Sequence, residues 1–421
     1  MKYRYIRNQK HFYNYLSSLQ NKGYKIIKHY FLAYLLAKEN EEILVSPFKI
    51  KDVNNIQKEL ERYVHNYAIT KPDYSNTNLN IIAGIRNNFG YSFEYKIDDK
   101  IFDRKYEYAI LLLLDGLGKN VLENNLPEDA FLRKNCFKYV NSIFPSTTAC
   151  ATTAIKSGRA PIETAWTGWH NYFKEINKDI ILFCGINYYD RKDRNNPKAY
   201  DLIAFKCFFE DMGMGSVVEP DFSNIDFDDT LKRSIENIEN DKVQYVYHTE
   251  PDECMHRHGT YSKQVKKVLA ILDKKVSDYA NKLPNNTLLV IIADHGHIPV
   301  YKGIPFYLNK EINQMLITRP SNDTRCQVFR VKEEYKNIFK DTFDLYYEDI
   351  YDLYETAYLI DNGFFGDKKK AHPKIKDLLG DYIAIAKSDY MLYSKKDFNF
   401  KSHHAGYTSE EMIVPIIVYK K

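Results

Sequence analysis

The 421-residue chain has little of what would place it in several common classes. Its six cysteines, Cys136, Cys150, Cys184, Cys207, Cys254 and Cys326, are scattered with no CxxC pair. That spacing excludes a thiolate zinc knuckle and argues against a disulfide framework. Reduced thiols are the expectation, and with them a cytoplasmic location. Long apolar runs are missing. FLAYLLA at 31–37 is the longest candidate and is far short of the roughly 20 residues a membrane helix needs. The basic start, MKYRYIRNQKHFYNYL, lacks the apolar segment of a signal peptide, so no membrane association is expected. Excess charge of one sign is missing too: 60 Lys and Arg face 56 Asp and Glu, a formal +4. Nothing in that balance calls for a stable nucleic-acid partner. No internal repeat and no low-complexity linker divides the chain. What is there is an ordinary globular composition, 44% hydrophobic and 28% charged. The length suits one large α/β domain with an insertion, or two domains.

Residues 1–100 read as a mostly helical preface with little chemistry. Phe12, Leu16 and Leu19 follow helical spacing up to Gly23, and Ile56, Leu60, Tyr63, Val64 and Tyr67 repeat it. A third helix is expected from about Asn76 to Asn88, with Ser75 near its start and Gly90 beyond its end. At Tyr108 the texture changes. YAILLLLDGLG is a continuous apolar run that stops at Asp115-Gly116, as a strand buried on both faces does. VQYVYH at 243–248 and TLLVIIADHGH at 287–297 repeat the pattern, the second ending in Asp294. DYIAIAKS and the final EEMIVPIIVYKK return to strands. After TLLVIIADHGH and before these strands, residues of about 300–380 lack an acidic strand end and read as a cap or insertion within a domain covering 101–421. Apolar runs alternating with helix-like segments predict an α/β sandwich.

The chemistry gathers at loop positions. IFPSTTACATTAIKSG at 143–158 is a proline-held extended stretch, a hydroxyl cluster and a helix that stops at Gly158. Ser146, Thr147 and Thr148 stand where a helix N-terminus favours an anion such as phosphate, although such residues are more often simple caps. Asp115 ends one strand. Asp252 and His256, spaced i, i+4, share a face if their turn is helical. Asp294 and His295 follow a buried strand directly, and His403 and His404 precede the last one. Three aspartates and three histidines without sulfur suit two divalent metals, zinc foremost with manganese as an alternative.

DGLG, FPSTTACATTAIKSG, PDECMH, ADHGH and HHAGYTSEEMIVP occur in the order seen in the alkaline phosphatase superfamily. The chain resembles its type I phosphodiesterase and nucleotide pyrophosphatase branch over roughly residues 76–419. The resemblance implies a three-layer sandwich, its mostly parallel sheet covered by helices on both faces. It implies Thr148 as nucleophile, with Asp115, Asp294 and His295 binding one metal together with the Thr148 oxygen. Asp252, His256 and His404 would bind the other. The expected reaction is hydrolysis of a small phosphate ester or nucleotide through a phosphothreonine intermediate.

Two departures accompany it. Ala405-Gly406 stands where the family often has two glycines, with His403 as a competing register for His404. Cys150-Ala151 stands where nucleotide pyrophosphatases often have Pro-Asn. The expected substrate contacts are the backbone near Cys150 and the two tryptophans of the chain, Trp166 and Trp169. A phosphomonoesterase or phosphonate hydrolase on the same core is the main alternative, and a non-catalytic metal-binding relative is a further one. The absence of a C/S-x-P-x-R segment disfavours a sulfatase.

Overall fold

The computed structural model describes residues 1–395 and 399–421. It divides into two compact units, one made of residues 69–300, 357–378 and 399–421, the other of 1–68, 301–356 and 379–398.

The larger unit is built on a six-stranded sheet. Its strands are β1 (Tyr108–Leu114), β2 (Cys136–Asn141), β3 (Gly215–Val218), β4 (Val243–His248), β5 (Thr287–Ile292) and β6 (Ile413–Lys420). They lie in the order β2-β6-β5-β1-β4-β3. The four strands β5, β1, β4 and β3 are parallel, and β6 runs antiparallel to both of its neighbours. Every residue of β1, β4 and β5 is buried. A strand can be so only if both sheet faces are covered, which is why YAILLLL and TLLVII are continuous apolar runs.

Helices α1 (Asn78–Asn88), α2 (Thr148–Ser157), α3 (Phe227–Asn237), α4 (Asp252–His258) and α5 (Lys263–Lys282) belong to the same unit. On α5, Val265, Leu269, Leu272 and Val276 recur at helical spacing and join the strand residues in one core. Each fully buried Leu or Ile there contributes roughly 1.5–3 kcal/mol. Stability therefore resides in the sheet interior, while the parallel strands deliver Asp115, Thr249 and Asp294 at their C-terminal ends, where α/β sheets place their sites.

The first 68 residues differ from the expected helical preface. Helices do occupy Gln9–Asn21 and Ile56–Glu61, but Lys2–Tyr5, Lys25–Tyr30, Ala33–Lys38 and Glu41–Ser46 form a four-stranded sheet. The helical periodicity held for Phe12, Leu16 and Leu19 and for Ile56 and Leu60, whereas Tyr63, Val64 and Tyr67 lie beyond the end of the second helix. AYLLAK and EEILVS, six residues each and mostly buried, lack the alternation that would mark a strand. Phe12, Leu16 and Leu19 pack in this unit's own core with Phe329, Phe339 and Phe343. The expected boundary at residue 100 is also displaced, because residues 69–100 group with the catalytic sheet. Of the expected insertion, 301–356 groups with the N-terminal segment and 357–378 with the larger unit. Arg325 is fully buried and donates to the carbonyl oxygens of Ser388 and Tyr390. Among the described residues no helix is long and apolar enough to cross a membrane.

Candidate active site

Four segments of the larger unit bring their polar side chains together beyond the strand ends. After β1 the chain turns at Gly116, whose φ of +75° is left-handed. A Cβ there would lie 2.9 Å from Met255 and 3.1 Å from the Asp252 Cβ, so glycine serves both the turn and the close approach. After β5, Gly296 passes against the chain at 410: an added Cβ would stand 2.0 Å from the Glu410 carbonyl oxygen. These two glycines let Asp115 and Asp294-His295 face each other.

The first cluster centres on His295. Its Nδ1 lies 3.0 Å from the Gly296 carbonyl oxygen, which can only accept, so the ring carries its proton at Nδ1 and turns a lone pair at Nε2 inward. Around that Nε2 stand Thr148 Oγ1 at 3.1 Å, Asp115 Oδ1 at 3.4 Å and Asp294 Oδ2 at 3.5 Å. The other carboxylate oxygens are spoken for. Asp115 Oδ2 accepts from the Tyr247 hydroxyl at 2.5 Å. Asp294 Oδ1 accepts the backbone N–H groups of Gly116 and His295, each at 3.0 Å. Asp115 Oδ1 and Asp294 Oδ2 are buried without a hydrogen bond.

The second cluster centres on Asp252, the first residue of α4. Its Oδ1 is met by the Nε2 atoms of His297 at 2.5 Å, His256 at 3.4 Å and His404 at 3.7 Å. His256 points its Nδ1 at the Ser402 carbonyl oxygen, 2.9 Å away, and His404 at that of Ser146, 3.0 Å away. Each ring is thereby fixed with Nε2 toward the carboxylate, the arrangement that orients metal-binding imidazoles. The His404 ring stacks on His295 at 3.6 Å between centroids. Asp252, His295, His297 and His404 each offer a ligand atom within 4.8 Å of the others, as do Asp115, Asp294 and His295.

The electrostatics match a site made for cations. Burial, with the neighbouring Asp294 and Asp252 charges added, pushes the Asp115 carboxyl well above the usual carboxylate range. Burial raises Asp294 as well. At Asp252 burial acts the same way, yet the His256 and His297 rings outweigh it and hold the group low. Burial drives His404 well below the ordinary imidazole range. Two buried carboxylates and the mostly buried Asp252, beside inward-facing imidazole lone pairs, form a donor set that bound cations would satisfy. The donors fit divalent metals.

Thr148 opens α2 and lines a cavity of about 620 Å³ that also touches Asp115 and Asp252. The rival hydroxyl, Thr147, is fully buried and its oxygen has no hydrogen bond, so it neither caps α2 nor reaches the cavity. Trp169, Phe183 and Phe222 give the cavity aromatic walls, and Lys156 lines it while paired with Glu219 at 3.0 Å. Two expected contacts fall elsewhere. Cys150 is fully buried inside α2, and Trp166 is a core residue whose indole N–H donates to the Ile203 carbonyl at 2.8 Å; neither lines the cavity.

Of the two adjacent histidines, His404 faces Asp252, while His403 belongs to the short strand Ser402–His403 and is in register with Ile298. His256 lies outside the tightest group, whose place His297 takes. Sequence reasoning missed His297. Its signal was the second histidine of ADHGH, two residues after His295, where only the first had a reading.

Known proteins resemble this arrangement. The model of the type I phosphodiesterase / nucleotide pyrophosphatase family matches residues 174–408. The structure is similar to murine ectonucleotide pyrophosphatase / phosphodiesterase 5, with a TM-score of 0.58 at 17% identity over 75% of this chain and 88% of that one. An inactive threonine-to-alanine form of the murine protein with AMP bound aligns with a TM-score of 0.57 at 17% identity, with the same coverage of 75% and 88%. The human counterpart gives 0.55 at 16% identity, over 74% of this chain and 88% of that one. In sequence, 107 residues are 27% identical to a phosphopentomutase of Alkaliphilus oremlandii (strain OhILAs), a match spanning 25% of this chain and 27% of that enzyme's length. With the family match extending over more than half of its residues and the fold shared, the chain belongs to the type I phosphodiesterase / nucleotide pyrophosphatase family and is a phosphoric ester hydrolase.

Proposed function

We propose that the protein hydrolyses phosphodiesters or nucleotide pyrophosphates with Thr148 as nucleophile and two divalent cations as cofactors. The observation that carries this reading is the convergence of Thr148 Oγ1, Asp115 and Asp294 on His295 beside the Asp252 cluster, with Thr148, Asp115 and Asp252 lining one cavity. Asp115, Thr148, Asp294 and His295 would hold one cation, and Asp252, His256 and His404 the other. When bound, such cations lower the pKa of a coordinated hydroxyl or water and offset charge on phosphoryl oxygens; zinc is the species the mixed nitrogen and oxygen donors favour.

The chain's own residues do the rest. Thr148 gives its hydroxyl proton to solvent, its Oγ forms the new bond to phosphorus, and the bond to the leaving oxygen breaks, that group taking up a proton from solvent as required. Water then adds to phosphorus, the bond from phosphorus to the Thr148 Oγ breaks, and a proton from that water restores the hydroxyl as a phosphomonoester is released. Thr148 opens α2, and the N-terminus of a helix favours the phosphoryl oxygens of a substrate attacked there. Tyr247 holds Asp115 in orientation through their 2.5 Å hydrogen bond. The aromatic walls at Trp169, Phe183 and Phe222 provide a surface for a second ester substituent. The murine relative's inactive form is a complex with AMP, which supports a nucleotide as substrate here.

A substrate panel tests the reading. Turnover of bis-p-nitrophenyl phosphate or of a nucleotide pyrophosphate should exceed that of p-nitrophenyl phosphate, in protein carrying two divalent ions. Faster turnover of the monoester would favour the phosphomonoesterase alternative. Protein with neither ions nor turnover would make it a non-catalytic relative.

A further inference from the structure

The proton inventory around Ser402 singles out His297. The Ser402 hydroxyl donates its one proton to the Met255 carbonyl oxygen at 2.7 Å. Toward His297 Nδ1, 3.1 Å away, the same oxygen can therefore only accept. The His297 ring thus carries its proton at Nδ1, as His256, His295 and His404 do through their carbonyl contacts. Its Nε2 then presents a lone pair to Asp252 Oδ1 at 2.5 Å. Two such atoms at that distance need a positive centre between them, either a second ring proton or a metal ion. The ring is fully buried, and Asp252 Oδ1 has two further imidazole nitrogens at 3.4 and 3.7 Å. Donors on a tetrahedral zinc, about 2.0–2.1 Å from the ion, stand roughly 3.3 Å apart. His256 and His404 already keep nearly that spacing, and His297 reaches it if Asp252 opens by under about 1 Å.

We propose that His297 is itself a ligand, through Nε2, of the cation held by Asp252, His256 and His404. This rests on the two-metal reading above and extends it. The site then offers three imidazoles and one carboxylate, whereas the Thr148 site offers two carboxylates, a hydroxyl and one imidazole. Neutral imidazoles favour zinc, cobalt and nickel over the oxygen-preferring manganese and magnesium. A substrate oxygen joining four protein donors makes that ion five-coordinate, a number zinc accepts.

The test is a crystal structure of the full chain grown with zinc, together with chelator titration of the cobalt-loaded wild type and His297→Gln. The expected structure has His297 Nε2 about 2.0–2.1 Å from the ion at Asp252. Titration should show one of the two ions released at least about tenfold more readily from His297→Gln, with an altered cobalt visible spectrum. A structure in which Asp252 holds an ion while His297 only hydrogen-bonds to the carboxylate overturns the proposal and leaves the two-metal reading standing. An unchanged cobalt spectrum in the variant has the same force. Wild-type protein that takes up no ion at either cluster overturns the two-metal reading itself. The wild-type crystal structure decides the matter even if His297→Gln fails to fold.

Discussion

Thr148 and Thr147 are neighbours with opposite surroundings, and their substitutions should separate cleanly. Thr148→Ala is expected to abolish hydrolysis with metal binding largely kept, since the carboxylate and imidazole donors remain. Thr148→Ser should retain appreciable activity, because only a methyl group is lost. Thr147→Val should be nearly neutral or slightly stabilising, as the buried hydroxyl it removes has no hydrogen-bond partner. Rapid acid quenching followed by peptide mapping should find phosphate on Thr148; phosphate on Thr147 would reverse the assignment.

His248, at the end of β4, gives a pH prediction away from the metal ligands. Burial pushes its imidazole down to about 4, and the ring stacks on Phe227 at 4.2 Å. The unfolded ring takes up a proton near pH 6.5, while the folded one resists until about pH 4. Between those values the unfolded state binds more protons, so stability is fully present above about 6.5 and is lost as pH falls. The loss approaches about 3 kcal/mol at the acid end. Urea unfolding at pH 7 and pH 5 should show a smaller acid loss for His248→Gln than for the wild type; equal losses would refute the assignment.

At the scale of elements, the segment before the last strand carries visible strain. Ala405 has a φ of +95°, left-handed backbone that glycine adopts far more readily. Its neighbours are tied down: buried Glu411 accepts the Gly406 N–H at 2.8 Å and the Thr408 hydroxyl at 2.7 Å. Ala405→Gly should therefore raise the denaturation midpoint, by up to about 1 kcal/mol after the entropy cost of glycine, with His404 left in place and activity kept. A lower midpoint would show that the Ala405 methyl group contributes packing that outweighs its backbone cost.

This segment also illustrates what the sequence made legible. HHAGYTSEE carried its candidate ligand and its neighbours in order, but which of His403 and His404 faces Asp252 needed the pairing of Ser402–His403 with Ile298–Pro299. Strands ending in Asp115 and Asp294 were readable because burial on both faces leaves an uninterrupted apolar run. The N-terminal sheet was not, because short buried strands and buried helix segments look alike without their partners. His297 was hidden by adjacency: one histidine after Asp294 explained the motif, and the second acquires meaning only beside Asp252 and Ser402. Cys150 and Trp166 were misplaced for a related reason. Nearness in sequence to Thr148 does not say which side of a helix, or of a turn, faces the cavity.

For the whole molecule, the buried acids make folding and cation binding one equilibrium. Asp115 and Asp294, raised by burial, and Asp252 beside them repel one another in the metal-free protein. A chelator should lower the melting temperature markedly, since an ion at a thousandfold excess over its Kd adds about 4 kcal/mol. Zinc added back should restore the melting temperature and activity together. An unchanged melting temperature after demonstrated metal removal would mean that the clusters do not hold the ions.

The position of β6 has a consequence for how the molecule comes into being. This strand, Ile413–Lys420, lies inside the sheet between β5 and β2, not at its edge. Until it has left the ribosome, β5 and β2 have no common partner, and both present unpaired backbone to the surroundings. His404 lies only a few residues upstream, in the segment that this strand ties to the sheet. A nascent chain therefore lacks its hydrolytic chemistry until this strand is out, and a product truncated ahead of residue 413 is expected to be inert and prone to aggregation.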